Sequence, residues 1–138
     1  MPTDRRVSPF ARSARGVGLS AQIDIKTDQP VLPDWWAHGG TGCRGTTGLA
    51  TNFDFTANSN CLDFYVGQAA GGFAYDIGFG TPDRGRLRVQ CAVPFDNRGA
   101  IDDATEVYGF KVNFLRAKTT GTGSCAGCTN PACIVLNE

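Results

Sequence analysis

Arg86-Leu-Arg-Val-Gln-Cys-Ala-Val93 is the stretch that decides the fold. Drawn as an extended chain, it puts Leu87, Val89, Cys91 and Val93 on one side and Arg86, Arg88 and Gln90 on the other. A period of two with this polarity belongs to a strand that buries one face and wets the other. The same alternation recurs on both sides of it. Leu19, Ala21, Ile23 and Ile25 share a face in Leu19–Ile25, and Leu49, Phe53 and Phe55 share one in Leu49–Phe55. Phe73, Tyr75, Ile77 and Phe79 form an aromatic-rich stripe on one face, and Tyr108, Phe110, Val112 and Phe114 face one way in the segment Tyr108–Phe114. A sixth strand is expected at Cys133–Leu136, whose unbroken apolar run predicts cover on both faces.

Between these segments lie turn-forming residues. Gly80-Thr-Pro-Asp-Arg-Gly85 combines proline, aspartate and glycine between two alternating stretches and predicts a hairpin. Asp96–Ala104 and Thr119–Ser124 are longer polar connections. Glycine and proline interrupt nearly every window in which a helix could form, so at most one short helical turn is expected. The expected architecture is all-β: a single antiparallel β-sandwich over residues 17–138, jelly-roll or immunoglobulin-like, with the strand order left open.

Charge narrows the function. The 138 residues hold 13 basic and 13 acidic side chains. Arg5, Arg6, Arg12 and Arg15 against Asp4 make residues 1–16 a +3 segment and leave residues 17–138 at −3. An acidic body lacks the clustered Lys and Arg of a nucleic-acid surface, so no nucleic acid is expected as a partner. No apolar run reaches the roughly 18 residues of a membrane-spanning helix. Residues 1–16 also lack the apolar centre of a secretory signal and read as a disordered basic arm or a mis-assigned start.

Six cysteines carry most of the remaining information. Cys43 and Cys61 flank the Phe53/Phe55 segment in turn-like surroundings, and a bridge between them would tie its two ends together. Cys128 and Cys133 could close a tight loop around Asn130-Pro131. Cys91 lies on an apolar face and suits a small buried thiol. Cys125 is then left without a partner unless it takes Cys91 or a cysteine outside this chain. Sequence cannot choose among the pairings that six cysteines permit. Disulfides would place the protein in an oxidising compartment, extracellular or at the cell surface.

Candidate chemistry is sparse. Leu32-Pro-Asp-Trp-Trp-Ala-His38 gathers both tryptophans and the lone histidine. Trp35 and Trp36 could stack on sugar rings, or they could anchor a loop in the core. His38 could serve a hydrolase as acid or base, although spacing assigns it no partner. Cys125-Ala-Gly-Cys128 is half of a zinc site or a redox pair, but no second Cys-x-x-Cys and no following helix accompany it. Asp96, Asn97, Asp102 and Asp103 offer oxygen atoms of the kind calcium takes, in a spacing that matches no EF-hand. The balance favours a non-enzymatic structural or binding module for a carbohydrate or a surface protein, with no catalytic residue, metal or cofactor. The alternatives are a secreted hydrolase using His38 and a zinc or redox protein centred on Cys125 and Cys128.

Three motifs together, Leu32-Pro-Asp-Trp-Trp36, Gly67-Gln-Ala-Ala-Gly-Gly72 and Gly121-Thr-Gly-Ser-Cys-Ala-Gly-Cys128 with Cys133-Ile-Val-Leu-Asn137, resemble an uncharacterised family of bacterial secreted β-rich proteins. The resemblance spans residues 17–138 and implies secretion and a β-rich fold. It brings no catalytic residue. Members of that family begin with a secretory signal and a further cysteine-containing strand region, and they continue past the Cys-Ile-Val-Leu-Asn segment. The differences at both ends imply a gene fragment here.

Overall fold

The computed structural model describes residues 18–39, 42–97, 99–100 and 102–137. The call on residues 1–16 lies outside them. Six strands run in the order β1 (Gly18–Thr27), β2 (Leu49–Asn52), β3 (Ala70–Ile77), β4 (Arg84–Ala92), β5 (Lys111–Phe114) and β6 (Ala132–Leu136). The fold is all-β and antiparallel, as the alternation predicts. One sheet has the order β3-β4-β1-β6, and β2 pairs with β5 in a two-stranded second sheet. The described residues carry six strands, in a four-stranded and a two-stranded sheet.

The decisive stretch lies in β4, at the centre of the larger sheet. Its register pairs Leu19 with Cys91, Ala21 with Val89, Ile23 with Leu87 and Ile25 with Gly85 across β1. Ile25, Leu87 and Val89 are essentially inaccessible to water. Each such side chain contributes about 1.5–3 kcal/mol by leaving water. Against this inner face pack Leu49 of β2 and the loop residues Phe53, Phe55 and Tyr65, with Tyr108, Phe110, Val112 and Phe114 at the margin. The outer face is charged. Asp24 accepts from Arg86 Nε at 2.7 Å and from its NH2 group at 2.9 Å, and Arg88 reaches Asp76 at 2.8 Å. The pair with Arg86 holds the Asp24 carboxyl below its usual range.

The expected hairpin joins β3 to β4, closed by Gly78 N–H donating to Arg84 O at 2.7 Å. Gly78 has φ +72°, and this turn ends the shared stripe of β3, in which Phe73 and Ile77 are also exposed because β3 is an edge strand. Phe79 falls beyond the flip and lies on the outer face, where the Arg86 guanidinium sits 4.1 Å from its ring centroid. Tyr75 does point inward and crosses over Gly85 in β4, where an added Cβ would overlap the tyrosine hydroxyl. That hydroxyl donates to Trp36 O at 2.8 Å. Gly85→Ala is therefore expected to lower the unfolding free energy by about 2 kcal/mol, measured by urea titration, because Tyr75 must leave its place.

Two further expectations are corrected. The described residues contain two single-turn 3-10 helices instead of at most one, Asp34–Trp36 and Phe95–Asn97, each nucleated after a proline. β6 is not covered on both faces. Among the described residues it pairs with β1 alone, at the sheet's edge, and Ile134, Val135 and Leu136 are about half exposed. A two-stranded second sheet is too narrow to cover four strands, so the inner face at the β6 margin stays open.

Candidate functional site

Two regions gather the residues with chemistry. The first is a buried cluster under the loops that precede β2 and follow β5. The 3-10 turn Asp34–Trp36 carries Trp35 into the interior at 7% exposure, with Trp36 against it edge-to-face at 4.9 Å between centroids. His38 is 2% exposed, and its ring lies 5.6 Å from Tyr75 and 5.7 Å from Phe114. The Arg44 guanidinium covers Trp35 at 4.2 Å and hydrogen-bonds to the carbonyls of Leu115 and Ala117. Arg44 was not singled out from sequence. A charged residue in a glycine-rich loop reads as solvated, and nothing local says that it will be roofed by an aromatic ring.

Trp35 and Trp36 therefore do not form an exposed stacking platform. Both indole nitrogens are buried, because the turn directs the rings beneath the loops. The two His38 ring nitrogens are likewise buried with no hydrogen-bond partner among the described residues. Burial, reinforced by the positive charge of Arg44, pushes the His38 pKa down to about 4. The histidine stays neutral and enclosed at neutral pH, and among the described residues no carboxylate hydrogen-bonds it to orient it for acid–base work.

The cysteine pairings are corrected. Cys43 bridges to Cys125, with a Cα separation of 5.9 Å, while Cys61, Cys91, Cys128 and Cys133 are free. Cys43–Cys61 fails because the β2–β5 ribbon lies between them. Cys61 sits beside the Leu62–Val107 bridge, whereas Lys118, past the other end of β5, donates its ammonium to Cys43 O at 2.6 Å. Cys128–Cys133 fails because the register of β6 turns Cys133 to the exposed outer face opposite Lys26. The Cys128 thiol instead faces Thr119 O at 3.5 Å. Cys125 finds its partner within the chain, and its bridge removes it from any zinc or thiolate pair with Cys128. Cys91 is a buried thiol against the Tyr65 hydroxyl at 3.4 Å. Alkylation without reduction is expected to label four cysteines, Cys91 only after unfolding; six labelled thiols in the intact mass would contradict the bridge.

The second region is a cleft of about 570 Å³ on the open inner face beside β6. Leu19 of β1 and Leu136 of β6 form its floor, and Phe64, Tyr108 and Phe110 form its walls. Leu62 N–H donates to Glu106 O at 2.9 Å and Tyr108 N–H to Leu62 O at 3.1 Å, which holds the 102–110 segment above the floor. Asp102, Asp103 and Glu106 stand exposed at the rim. Asp102 accepts from Thr105 Oγ1 and Ala104 N–H, and these bonds hold its carboxyl below the usual range. It thereby builds a turn, which accounts for part of the acidic loop that sequence offered to calcium. Tyr108 and Phe110 were legible as apolar residues. They were expected in a strand, whereas β5 begins only at Lys111 and leaves them free to wall the cleft.

An antiparallel all-β domain with one apolar, acid-rimmed cleft and one buried histidine–arginine–tryptophan cluster is the class these features define. No family model, curated protein or solved structure matches the chain.

Proposed function

We propose that the domain is a non-enzymatic binding module, extracellular or at the cell surface, and that its ligand is a segment of another protein. The cleft carries this reading. Its size and its apolar lining with a few polar groups at the edge are those of a ligand site. Carbohydrate is the weaker of the two ligand classes, since Trp35 is buried and Trp36 is half-buried with its indole nitrogen enclosed, which weighs against the exposed aromatic platform that sugar stacking requires. The enclosure of His38 weighs against the hydrolase alternative, and the Cys43–Cys125 bridge weighs against zinc or thiol chemistry at Cys125. The bridge also supports an oxidising compartment.

An acidic rim favours ligands with Lys or Arg beside an apolar anchor. Peptide-array binding is expected to select such sequences. The double variant Asp103→Lys/Glu106→Lys is expected to weaken them about tenfold at low salt, with the difference shrinking as salt rises. Selective glycan binding that Trp36→Ala abolishes and the charge reversals spare would replace this reading with a carbohydrate module.

A further inference from the structure

We propose that the cleft receives a methylated ammonium group, carried on a lysine side chain of the partner segment. This rests on the binding-module reading and names the group that the module recognises. Four of the lining side chains are aromatic: Phe64, Tyr65, Tyr108 and Phe110. Phe64 and Tyr65 stand nearly at right angles, with 79° between their planes and 5.9 Å between centroids, and so form two walls of a corner. Tyr108 is held from two sides. Phe55 stacks on one face at 4.6 Å, and the phenol oxygen accepts from Asn60 N–H at 2.6 Å. Phe55 lies outside the lining, which leaves the other face of Tyr108 for the cleft.

Rings and rim together select the occupant. An aromatic face attracts a cation that comes within about 6 Å of the ring centroid. The Phe55 ring behind Tyr108 already does so, with the Lys111 ammonium 4.9 Å from its centroid. The charged side chains that border the cleft are Asp102, Asp103 and Glu106, and no lysine or arginine is among the described lining. Among the described residues Asp103 and Glu106 have no ion-pair partner. The charge of the occupant is therefore positive. A bare ammonium suits the rim but not the interior, because its three N–H donors lose water there and need acceptors in return. The two hydroxyls in the lining are already engaged, that of Tyr65 by Cys91 and that of Tyr108 by Asn60. A trimethylammonium has no donor to satisfy and spreads its charge over its methyl groups. Those methyls can pack on the rings while the carboxylates meet the charge, and a cleft of about 570 Å³ leaves room for an apolar side chain beside it.

The test titrates the full chain with one short peptide, a central lysine between two valines, in three forms: unmodified, trimethylated on the lysine nitrogen, and the neutral isostere in which a tert-butyl group replaces the trimethylammonium. The trimethylated peptide is expected to bind about tenfold more tightly than either of the others and to shift the ring resonances of Phe64 and Tyr108. Phe64→Leu keeps an apolar wall and removes an aromatic face, whereas Asp103→Asn/Glu106→Gln changes only exposed side chains. Each is expected to weaken the trimethylated peptide about threefold and to leave the isostere unchanged. Equal binding of the trimethylated peptide and the isostere overturns the proposal and leaves an apolar binding module. Tighter binding of the unmodified peptide overturns it as well and returns recognition to the rim. Binding of choline with none of the three peptides overturns the lysine source and the protein-segment reading together. If neither choline nor any peptide binds, the proposal and that reading both fall.

Discussion

Replacing Cys43 and Cys125 together by alanine is expected to lower the unfolding free energy by about 4.5 kcal/mol, the loop-closure value for a bridge spanning a sequence separation of 82. For a domain of this size the total is about 5–15 kcal/mol, so the bridge is a large part of what keeps it folded. The reason is geometric. Cys43 lies in the loop that leads to β2, and Cys125 lies between β5 and β6. The bridge thus encloses β2, β3, β4 and β5 in one loop and limits the freedom of most of the unfolded chain. It also fastens the two loops that roof Trp35, where Trp35 N–H donates to Ala126 O at 2.9 Å and Cys125 N–H to Lys118 O at 2.9 Å. Urea titrations of the oxidised protein, the reduced protein and the double variant are the measurement. Reduced protein and double variant should agree. Curves that coincide with the oxidised protein would mean that the bridge does not form.

Acid is expected to destabilise the domain by about 3 kcal/mol as pH falls from 6.5 to 4, through His38 alone. In the unfolded chain the imidazole titrates near 6.5, whereas in the folded protein burial and Arg44 hold its pKa at about 4. Between these values the unfolded state binds a proton that the folded state refuses. Stability is therefore full above pH 6.5, falls through the window and levels off below pH 4. Asp24, with its pKa lowered by Arg86, adds a separate loss that begins only as carboxylates protonate at lower pH. His38→Leu should flatten the slope between pH 6.5 and 4. It should also leave stability at pH 7 equal or higher, since two buried ring nitrogens without described partners disappear. Thermal melts of both proteins across this range decide it. An undiminished slope in the variant would move the acid sensitivity to another group.

How much was legible differs between strand and site. β1, β3 and β4 are long enough for their alternation to stand out, and each lies where its pattern places it. β2 and β5 were overextended, to Phe55 and back to Tyr108, because a buried aromatic in a loop has the same apolar signature as one in a strand. Phe79 was assigned to the wrong face, since one positive-φ glycine interrupts the period of two. The tryptophans were correctly singled out with His38, and packing decided between the exposed and buried roles left open for them. The cleft was not legible at all. It exists because residues near positions 19, 62, 108 and 136 meet around an uncovered sheet margin.

What the sequence by itself determined is the all-β character, the positions of β1, β3 and β4, the hairpin between β3 and β4, and the buried state of Cys91. All of these depend on steric preferences and polarity over a few neighbouring residues. Tertiary structure alone decided the Cys43–Cys125 partnership, the burial of Arg44 and His38, the exposure of β6 and the presence of the cleft. These depend on which distant segments become neighbours. A chain that crosses the domain with every strand carries residues close in sequence to opposite ends of it, and brings residues far apart in sequence to the same place.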